Sequence, residues 1–254
     1  MISRYEAYMD GTSLSSIHPN LLILDIGHEV SSFSVSAESI AKRDGLMVLA
    51  RKRAKTVVTI SFMLRIYDIA ERQRVLQQIQ RWAKGSVLET NDRPGQELYV
   101  SCDEFPMIGS ARDWLEELTM SFTTYEKPYW MEKTYASVSL TAGTSGSGSL
   151  YVPGNAGETF VEVTATPSSS MANITLTVGN TSMTLTGVSA TSSQPITIRY
   201  DNQNILHIKR GTTSVLDKRT GSDDLLAECG TPVSVSFSSS VSCTVVFRAK
   251  GVWL

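Results

Sequence analysis

Thr56-Val57-Val58-Thr59-Ile60-Ser61-Phe62-Met63-Leu64-Arg65-Ile66, followed at once by Tyr67-Asp68-Ile69-Ala70-Glu71, is the stretch on which the fold turns. The first eleven residues alternate. Val58, Ile60, Phe62, Leu64 and Ile66 fall on one side, and Val57, Thr59, Ser61, Met63 and Arg65 fall on the other. Side chains in a strand point to opposite faces in turn, so this pattern predicts a long strand with one buried and one mixed face. The period then changes. Asp68 and Glu71 have the spacing of a capping box, in which the Asp oxygen accepts an orphan backbone N–H and Glu71 reaches back. Ile69, Val75, Leu76, Ile79, Trp82 and Ala83 recur at helical spacing, Arg81 and Lys84 suit the negative end, and Gly85 supplies a stop. One amphipathic helix is expected here, packed on the sheet through Leu76, Ile79 and Trp82.

Outward from that core, Asn91-Asp92-Arg93-Pro94-Gly95 is a turn, followed by a strand over 96–102. Residues 114–125 read as a further strand, with Leu118, Met120 and Phe122 alternating. The first half is therefore mostly β with one helix. Composition shifts near residue 134. The first 133 residues hold 16 of the 23 Lys+Arg and 18 of the 25 Asp+Glu, whereas the remaining 121 hold 14 charges and are about one-third Ser or Thr. That second half offers short alternating runs at 159–165, 173–178, 182–186, 195–200, 204–209, 213–217, 232–237 and 242–248, the spacing of an antiparallel sandwich. Between the halves, Thr141–Ser149 (TAGTSGSGS) is small, uncharged and Gly-rich, as a linker or mobile loop is. The expected organisation is an N-terminal domain over 1–133, a linker over 134–149 and a C-terminal β-sandwich over 150–254.

The chain of 254 residues is long enough for two self-sufficient cores, and its net charge of −2 gives no electrostatic case for nucleic acid. No apolar run approaches the length that crosses a bilayer. The opening MISRYEAYMDG carries acids and lacks the apolar stretch of a secretory signal, so folding in the cytoplasm is expected. Chemistry is hard to find. His18, His28 and His207 lie at no metal-ligand spacing, no GxSxG elbow occurs, and the Gly-rich stretch lacks the Lys-Ser/Thr of a phosphate loop. Cys102, Cys229 and Cys243 show no CxxC spacing and read as small core hydrophobes. The carboxylate pairs Asp103/Glu104, Glu116/Glu117 and Asp223/Asp224 are sequence neighbours that point to opposite faces of a strand, which suits solvated edges better than a glycosidase groove. The basic run Arg51-Lys52-Arg53-Ala54-Lys55 fits a solvated hairpin end or a subunit contact better than nucleic-acid recognition. No catalytic residue, metal ligand, cofactor or site for sequence-specific nucleic acid is assigned.

The ordered features from residue 56 to 130 resemble the distal tail protein (Dit) family of long-tailed bacteriophages. In that family a strand leads to a helix with a Trp-bearing end, then to an Asp-x-Pro-Gly turn and a Tyr-bearing strand. Here these are Ile60–Ile66, Asp68–Lys84 with Trp82, and Asp92–Tyr99. A closing aromatic Pro-Tyr element matches Phe122–Trp130, with Lys127 where an acid is usual, and Leu226–Val233 is a looser match to the final hairpin. The resemblance implies a mainly β chain with an N-terminal belt domain and a C-terminal galectin-like sandwich. It also implies a homo-hexameric ring at the distal end of a virion tail, with a tail-tube protein above, a tail-associated lysin or tip protein below, and receptor-binding proteins docked outside. Two other readings stay open. One is a carbohydrate-binding module in which Trp130, Tyr151 and Trp253 stack on sugar; the other is a different ring-forming tail component such as a tube protein.

Overall fold

The structure is a computed structural model and describes residues 4–29, 33–39, 46–53, 55–105, 115–201 and 203–254. Its contacts gather the chain into two compact units, Met1–Trp130 with Leu254, and Met131–Trp253. The first unit runs β1 (Ala7–Met9), β2 (Thr12–Ser13), β3 (Leu21–Glu29), β4 (Phe33–Ser39), β5 (Leu46–Arg53), β6 (Val57–Arg65), α1 (Ile69–Trp82), β7 (Val87–Thr90), β8 (Gln96–Tyr99), β9 (Ser101–Glu104) and β10 (Leu115–Thr123). Strand β6 is the alternating stretch of the sequence, and it lies inside an antiparallel sheet of order β3-β6-β10-β9. Val58, Ile60, Phe62 and Leu64 are buried, while the four residues between them that face the other way, Val57, Thr59, Ser61 and Met63, are half-exposed. The expected strand over 96–102 is two strands. Val100 interrupts it by donating its N–H to Ser86 O at 2.9 Å, and the second piece, β9, joins the other sheet. Trp114, expected to begin the last strand of this unit, lies outside the described residues.

Asp68 caps α1, its Oδ1 accepting from the Ala70 N–H at 2.8 Å. Glu71 does not close the box; it meets His18 Nε2 at 3.4 Å instead. The buried stripe is Arg72, Val75, Ile79 and Trp82, at spacings of three and four. Ile69, expected on that stripe, is 61% exposed, because the first helical residue sits on the wet side and Arg72 takes the inward place one turn on. Leu76 is half-buried. Trp82 meets Phe122 of β10 edge to face, centroids 6.0 Å apart, and donates its indole N–H to Thr12 O. The helix ends at Trp82 with Ala83 as its C-cap, and Gly85 beyond it is required by close packing, since a Cβ there would run into Met9 and Asp10. Trp82→Ala should lower unfolding stability by about 3–5 kcal/mol, a large aromatic deletion from a packed core. Arg74→Ala on the exposed side should change it by less than about 0.5 kcal/mol. Equal shifts in a denaturant titration of the two variants would contradict this helical phase.

The second unit is entered through β11 (Trp130–Tyr151) and continues with β12 (Glu158–Phe160), β13 (Glu162–Pro167), β14 (Met171–Val178), β15 (Thr181–Ala190), β16 (Ile196–Tyr200), β17 (Leu206–Arg210), β18 (Thr213–Ser214), β19 (Arg219–Gly221), β20 (Leu226–Glu228) and β21 (Pro232–Trp253). Strand β21 serves two groups. Its first half, Val235–Ser239, pairs with β14, and its second half, Cys243–Arg248, pairs with β13, so one long strand ties both together. Inward residues such as Ile174, Leu176, Val235, Phe237, Val245 and Phe247 are buried, with Ser and Thr between them. The two runs expected at 232–237 and 242–248 are thus one strand, whereas the run at 159–165 divides at Val161, whose N–H turns to Leu225 O at 2.9 Å. The run at 213–217 is a two-residue strand and a 3-10 turn, Leu216–Lys218.

The Gly-rich stretch Thr141–Ser149 is not a linker, because it lies inside β11, and the two units meet at Trp130/Met131. Its glycines are there for closeness. A Cβ on Gly146 would stand 2.8 Å from Phe237 Cε1, and one on Gly148 the same distance from Leu140 Cδ2. Leu140 lies eight residues before Gly148 on this same strand, so β11 bends back on itself here, and the small residues admit Leu140 and Phe237 at the bend. Gly146→Val should therefore destabilise by about 1–3 kcal/mol through overpacking; a thermal midpoint equal to wild type would mean the stretch is not packed.

Candidate assembly surface

Each histidine meets a carboxylate: His18 with Glu71 at 3.4 Å, His28 with Asp92 at 2.6 Å and His207 with Asp201 at 3.1 Å. Among the described residues no three His, Cys, Asp or Glu side chains gather as a metal site, and no helix is long and apolar enough to cross a membrane. Cys229 and Cys243 are buried and Cys102 half-buried, with none disulfide-bonded. Burial raises all three thiols above their ordinary range, Cys243 to about 11, which disfavours the nucleophilic thiolate. Asp103 is tied to the Tyr125 hydroxyl and Asp223 to Arg219. The Glu116 side chain lies outside the described residues. Of the aromatics expected as a sugar platform, Trp130 is 1% exposed and belongs to the core, and Trp253 is half-buried with its indole N–H on Glu132. Only Tyr151 is well exposed.

What the first unit does present is sheet surface. The helix covers the Val58 side of β6; the opposite side carries rows set by register. These rows are Leu22, Met63 and Glu117; Asp25, Ser61 and Thr119; and Gly27, Thr59 and Ser121. Ser61 and Thr119 hydroxyls meet at 3.1 Å, and a Cβ on Gly27 would press within 2.6 Å of Thr59 Oγ1. The result is a face of mostly small residues, with Leu22, Met63 and the exposed Glu117 at one end. Strand β3 closes the sheet on one side among the described residues, and β9 pairs with only the Ser121–Thr123 end of β10. Tyr67, Ile69 and Tyr125 are exposed at the ends of this sheet. The hairpin β4–β5 forms a sheet of its own, and Val35 on it is 52% exposed. The basic run lies on the second strand of this hairpin and beyond it, with Arg53 half-buried and Lys55 exposed; Ala54 and the side chains of Arg51 and Lys52 lie outside the described residues.

The Asp92–Gly95 turn has a structural task that its sequence did not disclose. Asp92 Oδ2 meets His28 Nε2 on β3, His28 packs edge to face on Trp130 with centroids 5.4 Å apart, and the Arg93 guanidinium lies 5.2 Å from the Trp130 ring. The turn thereby clamps the end of the sheet around a buried tryptophan, and Gly95 supplies its positive φ of 82°. No signal in the sequence joins His28 to Asp92, which lie 64 residues apart.

The fold is similar to that of hub and baseplate proteins of bacteriophage tails. In particular, the chain superposes along nearly its whole length on the SPP1 Dit protein, whose crystal structure is described as a paradigm of hub adsorption apparatus in phages infecting Gram-positive bacteria. The two are 13% identical, 97% of this chain and 98% of that one are covered, and the TM-score is 0.72. A chain of the phage P2 baseplate in its activated conformation with Ca matches at 10% identity and a TM-score of 0.50, covering 99% of this chain and 98% of that one. Neither a protein-family model nor a curated protein matches the sequence. The chain therefore has a Dit-like, mainly β fold.

Partial desolvation pushes the pKa of the Asp92 carboxyl up, but hydrogen bonds from Thr90 and His28 and the His28 charge outweigh this and hold it below the ordinary value. A depressed carboxylate contributes stability above its unfolded pKa of about 3.9 that is lost as pH falls through the folded value. Wild type should therefore melt above Asp92→Asn near neutrality, and the gap should close as the pH is lowered below about 4. A gap that widens on acidification would contradict the clamp.

Proposed function

We propose that this chain is a structural hub protein of a bacteriophage tail tip, six copies of which close into a ring joining the tail tube to the tip or baseplate and its receptor-binding machinery. The observation that carries the reading is the whole-length likeness in fold to the SPP1 Dit hub protein. The first unit supports it: a sheet covered by a helix on one side and lined mostly by small residues on the other, with short or open edges, is built to meet another subunit. The ring domain is assigned to the first unit, residues 1–130, and the peripheral domain to the second, residues 131–253. A head-to-tail contact repeated around a rotation axis closes without leaving an unpaired surface, which a hub with a central passage requires. A tail-tube protein binds above the ring, a tail-associated lysin or tip protein below, and receptor-binding proteins outside. The protein is made in the host bacterial cytoplasm and resides at the distal end of the virion tail. Its action is geometric, with no catalysis, cofactor or membrane insertion. Labelling this chain in purified tails should place six copies in one tier at the distal end by electron microscopy. Ser61→Arg, on the small-residue face, should prevent incorporation while leaving the monomer's melting unchanged. Label distributed along the tube would favour a tube protein, and absence from tails would end the proposal.

A further inference from the structure

The second unit carries a polar constellation that the hub role does not use. Its strands lie in the order β17-β16-β13-β21-β11, and one row of side chains crosses all five on the outer face. His207 stands opposite Arg199, and Glu162 opposite Arg248, by register. Glu162 Oε2 accepts from Arg199 Nη1 at 2.9 Å and from Arg248 Nε and Nη2 at 2.9 and 2.8 Å. The Arg248 guanidinium lies 4.2 Å from the Tyr135 ring centroid, Lys250 Nζ lies 5.5 Å from it, and the Tyr135 hydroxyl reaches Glu162 Oε1 at 3.4 Å. Arg199 is held from its other side by Thr164 Oγ1 at 3.2 Å, and His207 by Asp201 at the end of the row.

We propose that this row is a binding site for an anionic saccharide, one bearing a carboxylate or phosphate group. A surface ion pair contributes little to stability, yet this one is built with care. The Glu162 side chain is only 12% exposed, whereas Arg199 and Arg248 keep 35% and 34% exposure. The carboxylate therefore serves to fix two guanidiniums whose freedom is already lost before a ligand arrives, which lowers the entropic cost of binding. Guanidiniums so fixed offer planar forks to a carboxylate or phosphate, and Glu162 Oε1 remains an acceptor for a hydroxyl. Tyr135, 40% exposed with Arg248 against its ring, offers an apolar surface to the C–H face of a sugar. Arg199, Arg248 and Lys250 against Glu162 and Asp201 leave the row with more cations than acids, which favours an anion over a neutral sugar. Four strand spacings make the row about 19 Å long, which suits an oligosaccharide. The surrounding positions, Thr164, Thr197 and Val246, are small and half-buried, which leaves the face open above the row.

The test is isothermal titration of the full chain with tetragalacturonate, 3′-sialyllactose, a hyaluronan hexasaccharide and a glucosylated glycerol-phosphate oligomer, beside maltotetraose and inorganic phosphate. At least one acidic saccharide should bind at least about tenfold more tightly than either control, and Tyr135→Ala and Arg248→Gln should each weaken it by about tenfold. Lys218→Gln, outside the row, should leave it unchanged, and thermal melting should show all variants folded. Carboxylate and phosphate ligands are told apart by which members of the panel bind. No binding across the panel, equal binding of inorganic phosphate, or binding untouched by Tyr135→Ala would each overturn the site. None of these outcomes bears on the hub reading, which tail microscopy decides.

Discussion

Everything in the first unit depends on the two-residue period of β6. Because its side chains alternate, the inward placement of Val58, Ile60, Phe62 and Leu64 compels Val57, Thr59, Ser61 and Met63 outward. Neighbours β3 and β10 are bound by the same alternation, since Ile26 and Met120 stand opposite Ile60 and must be buried with it. The buried face needs one cover, and a helix with a stripe at Arg72, Val75, Ile79 and Trp82 supplies it. The outward face is left with mostly small residues. One strand thus fixes both where the core lies and which surface stays available for a neighbour.

The polar groups that hold the two units are few and local. In the first, His28, Asp92, Arg93 and Trp130 bring a strand end, a turn and a buried ring into one contact set. In the second, charge is sparse; Glu162, Arg199 and Arg248 meet on one row, and Arg219 pairs with Asp223 apart from it. Hydroxyls of Ser and Thr supply much of the remaining polar surface of its strands.

The described histidines each meet a carboxylate, and Cys229 and Cys243 are buried. Likeness in fold to SPP1 Dit at 13% identity is possible because burial patterns of strands survive when nearly all side chains have changed.

The sequence by itself determined the strand at 57–65, its inward residues, the Asp68 cap and the helix up to Trp82, because these rest on periodicity and on contacts within a turn of the chain. It also set the β character of the second half through short alternating runs. Tertiary structure alone decided the rest. Gly and Ser in Thr141–Ser149 suit a loop and a crowded strand equally well, and only the arrival of Phe237 over Gly146 makes the stretch a strand. Ile69 and Arg72 exchange expected places because the helix's rotation is chosen by the surface it packs on, not by its own hydrophobicity. The clamp of His28 on Asp92 and the row through Glu162, Arg199 and Arg248 join residues 64, 37 and 86 positions apart. Strand register brings them together, and register is a property of paired strands that no single strand's sequence contains.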